Sequence, residues 1–311
     1  MKKAYFYIDD TIWVLRDITR QKPKTLFDNP FMNMLKTAHD KYGLKVQLNL
    51  FYRLDSFYGY DMFCLADVTD EYKDEFKANS DWLKFAFHAL EEFPDYPHIS
   101  ATYDDTKWLF KAIEKEVLRF AGEDSFAYTV CPHWLPMSKD AVKALKDCGV
   151  KLLDCTVGAT EEYNGDPFSL PYGHAMRLLN NRQPETKVFS RGGRDVAIAR
   201  SICGYNHLLP DDVKNSRISL DTIHNDEFDI EFKPYGSTCL NTTPYDEIDD
   251  EFEKLIANPD RSYIGICDHE QYFYSDYLAY QPDYADKIYK MGEILTKNGY
   301  EFICGEEILA K

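Results

Sequence analysis

Short apolar runs that each stop at a residue able to bind a metal are the main pattern of this 311-residue chain. The runs are rich in aromatic and β-branched residues, have the length of buried strands and show no helical period. They are residues 4–8 before Asp9 and Asp10, 83–87 before His88, 126–130 before Pro132 and His133, and 263–267 before Asp268, His269 and Glu270. In a barrel of parallel strands the carboxyl ends meet on one face, where active sites lie. We therefore expect these polar residues to converge.

A helical segment that ends in glycine directly before an apolar strand recurs along the chain. The glycines are Gly43, Gly122, Gly149 and Gly299. Glycine is favoured just past a helix end because it adopts positive φ without steric cost. These joints predict an α/β fold with repeated βα units and a mainly parallel sheet. The alternation of helical and strand patterns is less clear in residues 159–245. We interpret this segment as an irregular insertion within one domain of residues 1–311.

Composition and charge narrow the function classes. Lys and Arg (36) minus Asp and Glu (53) give a net charge of −17, a sign that repels phosphate backbones, so we expect no nucleic-acid partner. No apolar run reaches about 18 residues, so we expect no membrane span. The amino-terminal residues do not form a secretory signal, and the eight cysteines form no CxxC pair. Both features favour reduced thiols and a cytoplasmic location.

Two adjacent aspartates, Asp9 and Asp10, end the first predicted strand. Neighbouring strand residues point to opposite faces, but the chain turns at a strand end and both side chains can then reach one cleft. One carboxylate can bind a divalent metal while the other takes a proton from the attacking water. A solvated strand end with Asp10 as a turn cap is the alternative, and the pair alone leaves both readings open.

Histidines end the next two motifs. His88 is either a core histidine or a ligand, and the proline-rich loop after it offers Glu92 and His98 as further ligands. His133 lies beside Trp134 between two prolines, in a stiff loop that can hold an imidazole against an aromatic wall. A packed loop without function is the alternative there.

Residues 268–274 are the densest polar and aromatic cluster of the chain. His269 is suited to general acid catalysis because imidazole titrates near neutral pH. Glu270 or Asp268 can orient it, as carboxylates do for catalytic imidazoles. The motifs of phosphate loops, zinc proteases and serine hydrolases are missing from the sequence.

Taken in order, these motifs resemble the polysaccharide deacetylase (NodB-homology) superfamily. Residues 7–11, Tyr-Ile-Asp-Asp-Thr, are similar to the family's Thr-Phe-Asp-Asp-Gly, and residues 87–88 are similar to the start of its second motif. The second histidine of that motif is replaced by Glu92, and His98 can stand in through a longer loop. Residues 131–134 occupy the place of the Arg-x-Pro motif without its arginine, and residues 266–269 resemble the last motif.

The resemblance implies a deformed (β/α) barrel, usually with seven strands, and metal-assisted removal of acyl groups from an N- or O-acetylated carbohydrate. Asp9 matches the family's catalytic base and His269 its proton donor. Asp10 and His88 match metal ligands, and we expect the third ligand of a divalent ion, with zinc the first candidate, from His133, His98 or Glu92. Glu270 is a further catalytic candidate. Trp134, Tyr272 and Tyr274 are expected to stack on the sugar.

Two alternatives stay open. A glycoside hydrolase on a related barrel would use a pair of carboxylates without metal, here Asp10 and Glu270. A catalytically silent carbohydrate-binding barrel would keep the aromatic cleft after the metal site had decayed. The sequence leaves the substrate, the metal and the oligomeric state open.

Overall fold

Strands and helices alternate along the chain, as the helix–glycine–strand joints predict. The computed structural model describes residues 2–54, 62–93, 97–98, 101–135, 137–155, 188–191, 194–197, 222–234, 237–258, 261–277 and 279–310. Most of the insertion expected at residues 159–245 therefore lies outside the described residues. None of the described helices has the length and apolar composition needed to cross a bilayer.

The central sheet has six strands, all paired in parallel, in the order β10-β11-β1-β2-β3, with β12 also beside β1. The strands of the described residues are β1 (Lys2–Thr11), β2 (Val46–Phe51), β3 (Leu83–Ala89), β4 (Thr129–Val130), β5 (Leu152–Cys155), β6 (Val188–Arg191), β7 (Arg194–Ala197), β8 (Ile223–Asn225), β9 (Ile230–Pro234), β10 (Thr238–Cys239), β11 (Tyr263–His269) and β12 (Tyr300–Phe302). This confirms the predicted α/β class and its parallel central sheet.

Helices follow the strands, and three of them begin at a residue whose side chain caps the helix. The helices of the described residues are α1 (Trp13–Gln21), α2 (Pro30–Tyr42), α3 (Lys73–Ala78), α4 (Tyr103–Phe120), α5 (Lys139–Asp147), α6 (Ile248–Ile256) and α7 (Tyr284–Lys297). Asn29, Thr102 and Ser138 cap α2, α4 and α5, since each side chain accepts a hydrogen bond from a backbone N–H of the first turn. The apolar faces of the helices pack on one face of the sheet in a single large core.

The four glycines of the predicted joints all have positive φ. The angles are 66° at Gly43, 95° at Gly122, 100° at Gly149 and 76° at Gly299. Residues with a Cβ rarely adopt such angles. The glycines therefore allow the chain to turn at each helix end, which confirms the role predicted for them, although after Gly122 a short 3₁₀ turn at Glu123–Ser125 precedes β4.

A second core lies on the opposite face of β1. There Tyr5 and Tyr7 pack with a small group of buried residues, namely Cys131, Tyr263, Cys267 and Ile303. The ammonium of Lys233 on β9 lies 5.1 Å from the Tyr5 ring centre and 5.0 Å from that of Tyr7, and it pairs with Asp154 on β5 at 2.5 Å. Both charged side chains are fully buried. Side chains of β5 and β9 therefore contact β1 in this second core.

A second sheet in the order β4-β5-β9-β8 supplies these contacts, and β4, β5 and β9 run parallel in it. It continues the edge of the central sheet, because the Ala127 N–H donates to the Phe85 carbonyl at 2.8 Å. In this sheet β9 pairs with β5, while β10, which follows β9 closely in the chain, pairs with β11 of the central sheet. One stretch of chain thus borders both sheets.

Candidate metal centre

Three side chains meet at the carboxyl ends of β1, β3 and β4. The Asp10 carboxylate oxygen Oδ1 lies 3.1 Å from His88 Nε2 and 3.2 Å from His133 Nδ1, and the two imidazole nitrogens are 3.1 Å apart. All three residues are buried. The predicted convergence of the strand-end motifs is therefore observed, and the cluster is able to hold a metal ion.

The size of this triangle fits a small divalent ion. Zinc binds imidazole nitrogen and carboxylate oxygen at about 2.0–2.1 Å with tetrahedral geometry, which places ligand atoms about 3.3–3.4 Å apart. The observed separations of 3.1 and 3.2 Å are slightly shorter than this. Calcium binds only oxygen ligands at longer distances, so this donor set does not suit it.

The backbone of β1 aims Asp10 at the two histidines. Asp10 has a φ of 61°, in the left-handed region that aspartate visits more readily than most residues. The register between β1 and β2 shifts between Ile8 and Thr11. Such an irregularity reorients the side chains of a strand, and it lets both adjacent aspartates face the carboxyl end of the sheet.

Backbone carbonyls hold both imidazoles from the side opposite to Asp10. His88 Nδ1 donates to the Cys131 carbonyl at 2.6 Å, and His133 Nε2 donates to the Glu92 carbonyl at 3.0 Å. With a proton on these nitrogens, the neutral form of each imidazole presents a lone pair on the nitrogen that faces Asp10. Metal-binding histidines normally carry such an outer hydrogen bond, which fixes their tautomer and orientation. Each ring is held by the loop that follows the other ring's strand.

Without a bound cation the centre is an ion pair. Burial disfavours the charged imidazolium, but the hydrogen bond to Asp10 and its charge raise the pKa of His133 to about 9. Burial likewise opposes the charge on Asp10, yet hydrogen bonds from His133 and His88 lower the pKa of its carboxyl well below the usual range. Asp10 is therefore an anion and His133 a cation at neutral pH.

Asp9 lies beside the triangle and forms a separate set of contacts. Its Oδ1 accepts a hydrogen bond from the Asn49 amide at 2.6 Å, and its Oδ2 lies 3.6 Å from the Cys131 sulfur. Its distance to His88 Nδ1 is 3.8 Å. Asp9, His88 and Cys131 form a second group whose ligand atoms lie close together. However, His88 uses Nδ1 in its bond to the backbone, which leaves only Nε2 for a metal.

His269 is the strand partner of Asp9, across the β1–β11 ladder. Its Nδ1 is 2.9 Å from Asn241 Oδ1 and 3.8 Å from the Cys239 sulfur. Burial disfavours the charged ring, but the Cys239 contact and the carboxylates of Asp10 and Asp9 raise the pKa of His269 well above its ordinary value. The ring is therefore protonated at neutral pH, with its Nδ1–H donated to Asn241.

Glu270 and Tyr274 lie on the other side of the strand end. The Glu270 carboxylate accepts hydrogen bonds from the backbone N–H groups of Ile12, Trp13 and Val14 at 2.6 to 2.8 Å. The Tyr274 ring packs on Trp13, with ring centres 5.0 Å apart. These are the contacts of a helix cap at the start of α1, since a carboxylate satisfies the free N–H groups there. The catalytic role expected for Glu270 stays a prediction.

The two alternative candidates for the third ligand, His98 and Glu92, do not contact Asp10 in the way that His88 and His133 do. His98 Nε2 donates to the His88 carbonyl at 2.8 Å, and burial lowers the pKa of this imidazole to about 3. The Glu92 carboxylate accepts a hydrogen bond from the Gln271 amide at 3.0 Å. Both residues therefore support the loops around the centre, and His133 is the third side chain of the group that could hold a metal ion.

Two of the three aromatic residues expected to contact substrate lie near the imidazoles. The Trp134 ring is 6.1 Å from that of His133, and the Tyr272 ring is 6.2 Å from that of His269. Both side chains are partly exposed. Their position is compatible with the stacking role predicted for them, whereas Tyr274 packs against α1 as described above.

Sequence reasoning overlooked Asn49, Gln47, Asn241 and Cys239. Gln47 Nε2 donates to Asn49 Oδ1 at 2.8 Å, so β2 carries a chain of amides to Asp9. The signal was available, because two polar residues spaced by two in an apolar strand share one face. Asn241 and Cys239 had no such signal, since their relation to His269 depends on strand pairing.

Comparisons with known proteins add a likeness of fold. No protein-family model matches the chain, and no curated protein does. The crystal structure of 4-alpha-glucanotransferase from Thermococcus litoralis superposes with a TM-score of 0.52 and 12% identity, over 100% of this chain and 40% of that one. A family 4 carbohydrate esterase from Bacillus anthracis superposes over 99% of this chain and 83% of that one, with a TM-score of 0.38 and 9% identity. The chain thus spans less than half of the glucanotransferase, with which it shares a fold.

Proposed function

We propose that the chain is a metal-dependent hydrolase that removes acyl groups from an acetylated carbohydrate. The observation that carries the proposal is the triangle of Asp10, His88 and His133, in which both imidazoles are held by backbone carbonyls and turn their free nitrogens to one point. A buried ion pair needs no such pair of outer hydrogen bonds, whereas a metal site does. The donor set of two nitrogens and one oxygen favours zinc.

When bound, a divalent ion would polarise the acyl oxygen and acidify the attacking water. Asp9 accepts the proton of that water, because its carboxylate is buried next to the ligands without belonging to the triangle. Asn49 fixes the Asp9 carboxylate by its hydrogen bond. Asp9 is thus oriented by the protein and not by the ion, which suits a base that is used in every turnover.

His269 protonates the leaving amine or alkoxide. The raised pKa keeps its ring protonated at neutral pH, and the bond from Nδ1–H to Asn241 leaves Nε2–H as the proton to be given. Trp134 lies beside the His133 ring and Tyr272 lies beside the His269 ring. Together they form the stacking surface for a sugar ring. We do not include Glu270, because both of its oxygens are engaged at the start of α1.

A closed barrel of seven strands is the scaffold that we propose for this site. Six of its strands follow one another in the order β11-β1-β2-β3-β4-β5. The segment that contains β9 and β10 is the seventh element and closes the barrel between β5 and β11. Its first part pairs with β5 and its second part with β11. The buried pair of Lys233 and Asp154 against Tyr5 and Tyr7 supports this closure, because it joins opposite walls across an interior.

A metal-free glycosidase with the carboxylates Asp10 and Glu270 is the second candidate, since the chain shares its fold with a 4-alpha-glucanotransferase. Two contacts weigh against it. Asp10 is enclosed by two imidazoles, and Glu270 is bonded to three backbone N–H groups. Neither carboxylate is left free for a glycosidic bond.

The test combines metal analysis with hydrolysis assays. Purified protein should contain about one zinc-like ion per chain, and His88→Ala and His133→Ala should lose it, while His224→Ala, which changes a histidine on β8, should keep it. The assay substrates are N-acetylglucosamine oligomers and acetylated xylan. Asp9→Asn should retain the metal and lose about 10² to 10⁴ of the rate.

Unchanged metal content in both histidine variants would reject the ligand assignment. Full activity of metal-loaded Asp9→Asn would reject the base. Sugar binding without turnover, by a chain that holds no metal after addition of zinc or cobalt, would instead favour a silent carbohydrate-binding protein.

A further inference from the structure

Two cysteines lie side by side on the parallel strands β10 and β11. Cys239 and Cys267 are partners in the strand register, so their side chains point to the same face. Paired strands are about 4.7–4.9 Å apart, within the range of about 4.4–6.8 Å between Cα atoms that a disulfide spans. Cys239 also packs against the small cluster of buried residues that contains Cys267. The two cysteines are thus neighbours on one face of the sheet.

The surroundings of Cys239 favour its reaction. Cys239 is partly exposed, while Cys267 beneath it is fully buried. The interaction with Cys267, followed by the contact with His269 Nδ1 at 3.8 Å, lowers the pKa of Cys239 to about 5 against the cost of burial. This shift favours the thiolate, which is the form that attacks peroxides.

Other thiols of the described residues lack this combination. Burial raises the pKa of Cys131, Cys148 and Cys304. Cys64 is partly exposed, but burial and its hydrogen bond to the Asp67 carboxylate raise its pKa too. Each of these four cysteines is free in the structure.

We propose that Cys239 is an oxidation site for hydroperoxides and that Cys267 resolves it to a disulfide beside His269. The Cys239 thiolate attacks one peroxide oxygen, the O–O bond breaks, and hydroxide leaves and is protonated to water. The Cys267 sulfur then attacks the resulting sulfenic acid. The S–S bond forms while the S–O bond breaks, and the hydroxyl leaves as water with the Cys267 proton. Two thiols lose two electrons and two protons, and hydrogen peroxide is reduced to two waters.

Peptide mapping of the full-length protein tests the proposal. Folded protein is treated with hydrogen peroxide, the remaining thiols are alkylated, and the trypsin digest is analysed by mass spectrometry with and without reductant. Arg261 separates the two cysteines into different peptides. Two of the eight thiols should disappear, and a Cys239–Cys267 cross-linked peptide should form that dithiothreitol removes. In Cys267→Ser, dimedone should label Cys239 as a sulfenic acid.

Cys64→Ser is the matched control, because it removes another partly exposed thiol and should leave the cross-link unchanged. Absence of the cross-linked peptide while other thiols are oxidised would overturn the proposal. So would equal dimedone labelling of Cys239 and Cys64 in Cys267→Ser. These readouts need no enzyme activity, so the inference stands or falls independently of the proposed hydrolysis.

Discussion

Metal binding should release a proton from His133, and the amount follows from its contact with Asp10. Nδ1 of His133 lies 3.2 Å from the Asp10 oxygen Oδ1, and the pKa of the ring is raised to about 9. In the metal-free protein this nitrogen therefore carries a proton. A metal needs the lone pair of that nitrogen, so the proton must leave. At pH 7 the ring is deprotonated in only about one molecule in a hundred, which costs the binding about 2.7 kcal/mol.

The sign of the pH dependence is therefore fixed. Apparent affinity should rise about tenfold for each pH unit from about pH 6 to 8 and level off above the pKa of His133. Asp10 adds nothing in this range, because the pKa of its carboxyl lies well below the usual value. The dissociation constant at about pH 8 should thus be about 100 times smaller than at pH 6.

Isothermal titration calorimetry with cobalt measures this linkage. Titrations in buffers of different ionisation enthalpy at one pH give the number of protons released, and a pH series gives the slope. About one proton per ion is expected. The variant His133→Asn should bind more weakly, and its pH slope should be smaller by about one. A pH-independent affinity with no proton release by the unaltered chain would refute the reasoning, because His133 would then be neutral or no ligand.

Three further substitutions test the scaffold by chemical denaturation. Lys233→Met should destabilise the fold by about 3–5 kcal/mol, because it leaves Asp154 unpaired in the interior. The double variant with Asp154→Leu should recover part of this loss. Equal stability of Lys233→Met and wild type would contradict the buried pair. Gly305→Ala should cost about 1–3 kcal/mol, because a Cβ there would lie 2.6 Å from Thr129 Oγ1; a neutral effect would show that this contact can relax. Glu270→Gln should cost about 1–3 kcal/mol, since one amide oxygen cannot accept all three backbone N–H groups at the start of α1. A loss of hydrolysis without loss of stability would instead point to catalysis by Glu270.

Strand ends were readable from the sequence because local chemistry determines them. Gly43 and Gly149 mark helix ends by their backbone freedom, and the run before His88 is too apolar to lie outside a sheet. The convergence of Asp10, His88 and His133 also followed from the chain, because parallel strands bring their carboxyl ends together. These predictions needed only periodicity and strand direction.

Other parts of the site depend on contacts between distant segments. Glu270 stands beside His269 in the sequence but is directed to α1, because the N–H groups of that helix lie within its reach. Asn241 faces His269 only since β10 pairs with β11. His98 has the chemistry of a metal ligand, but its Nε2 donates a hydrogen bond to the His88 carbonyl instead. Sequence alone cannot decide which of several nearby polar groups meets which partner.

The anchors of the two ligand histidines have a consequence for how such a sequence can change. Cys131 and Glu92 hold His88 and His133 through main-chain oxygens, so these two bonds do not depend on the chemistry of the side chains at positions 92 and 131. Substitutions of similar size there keep the ligand geometry, whereas a deletion in either loop shifts the carbonyl that holds the histidine of the other strand. Such a chain can lose the residues by which a sequence motif is recognised while it keeps the backbone geometry that positions the ligands.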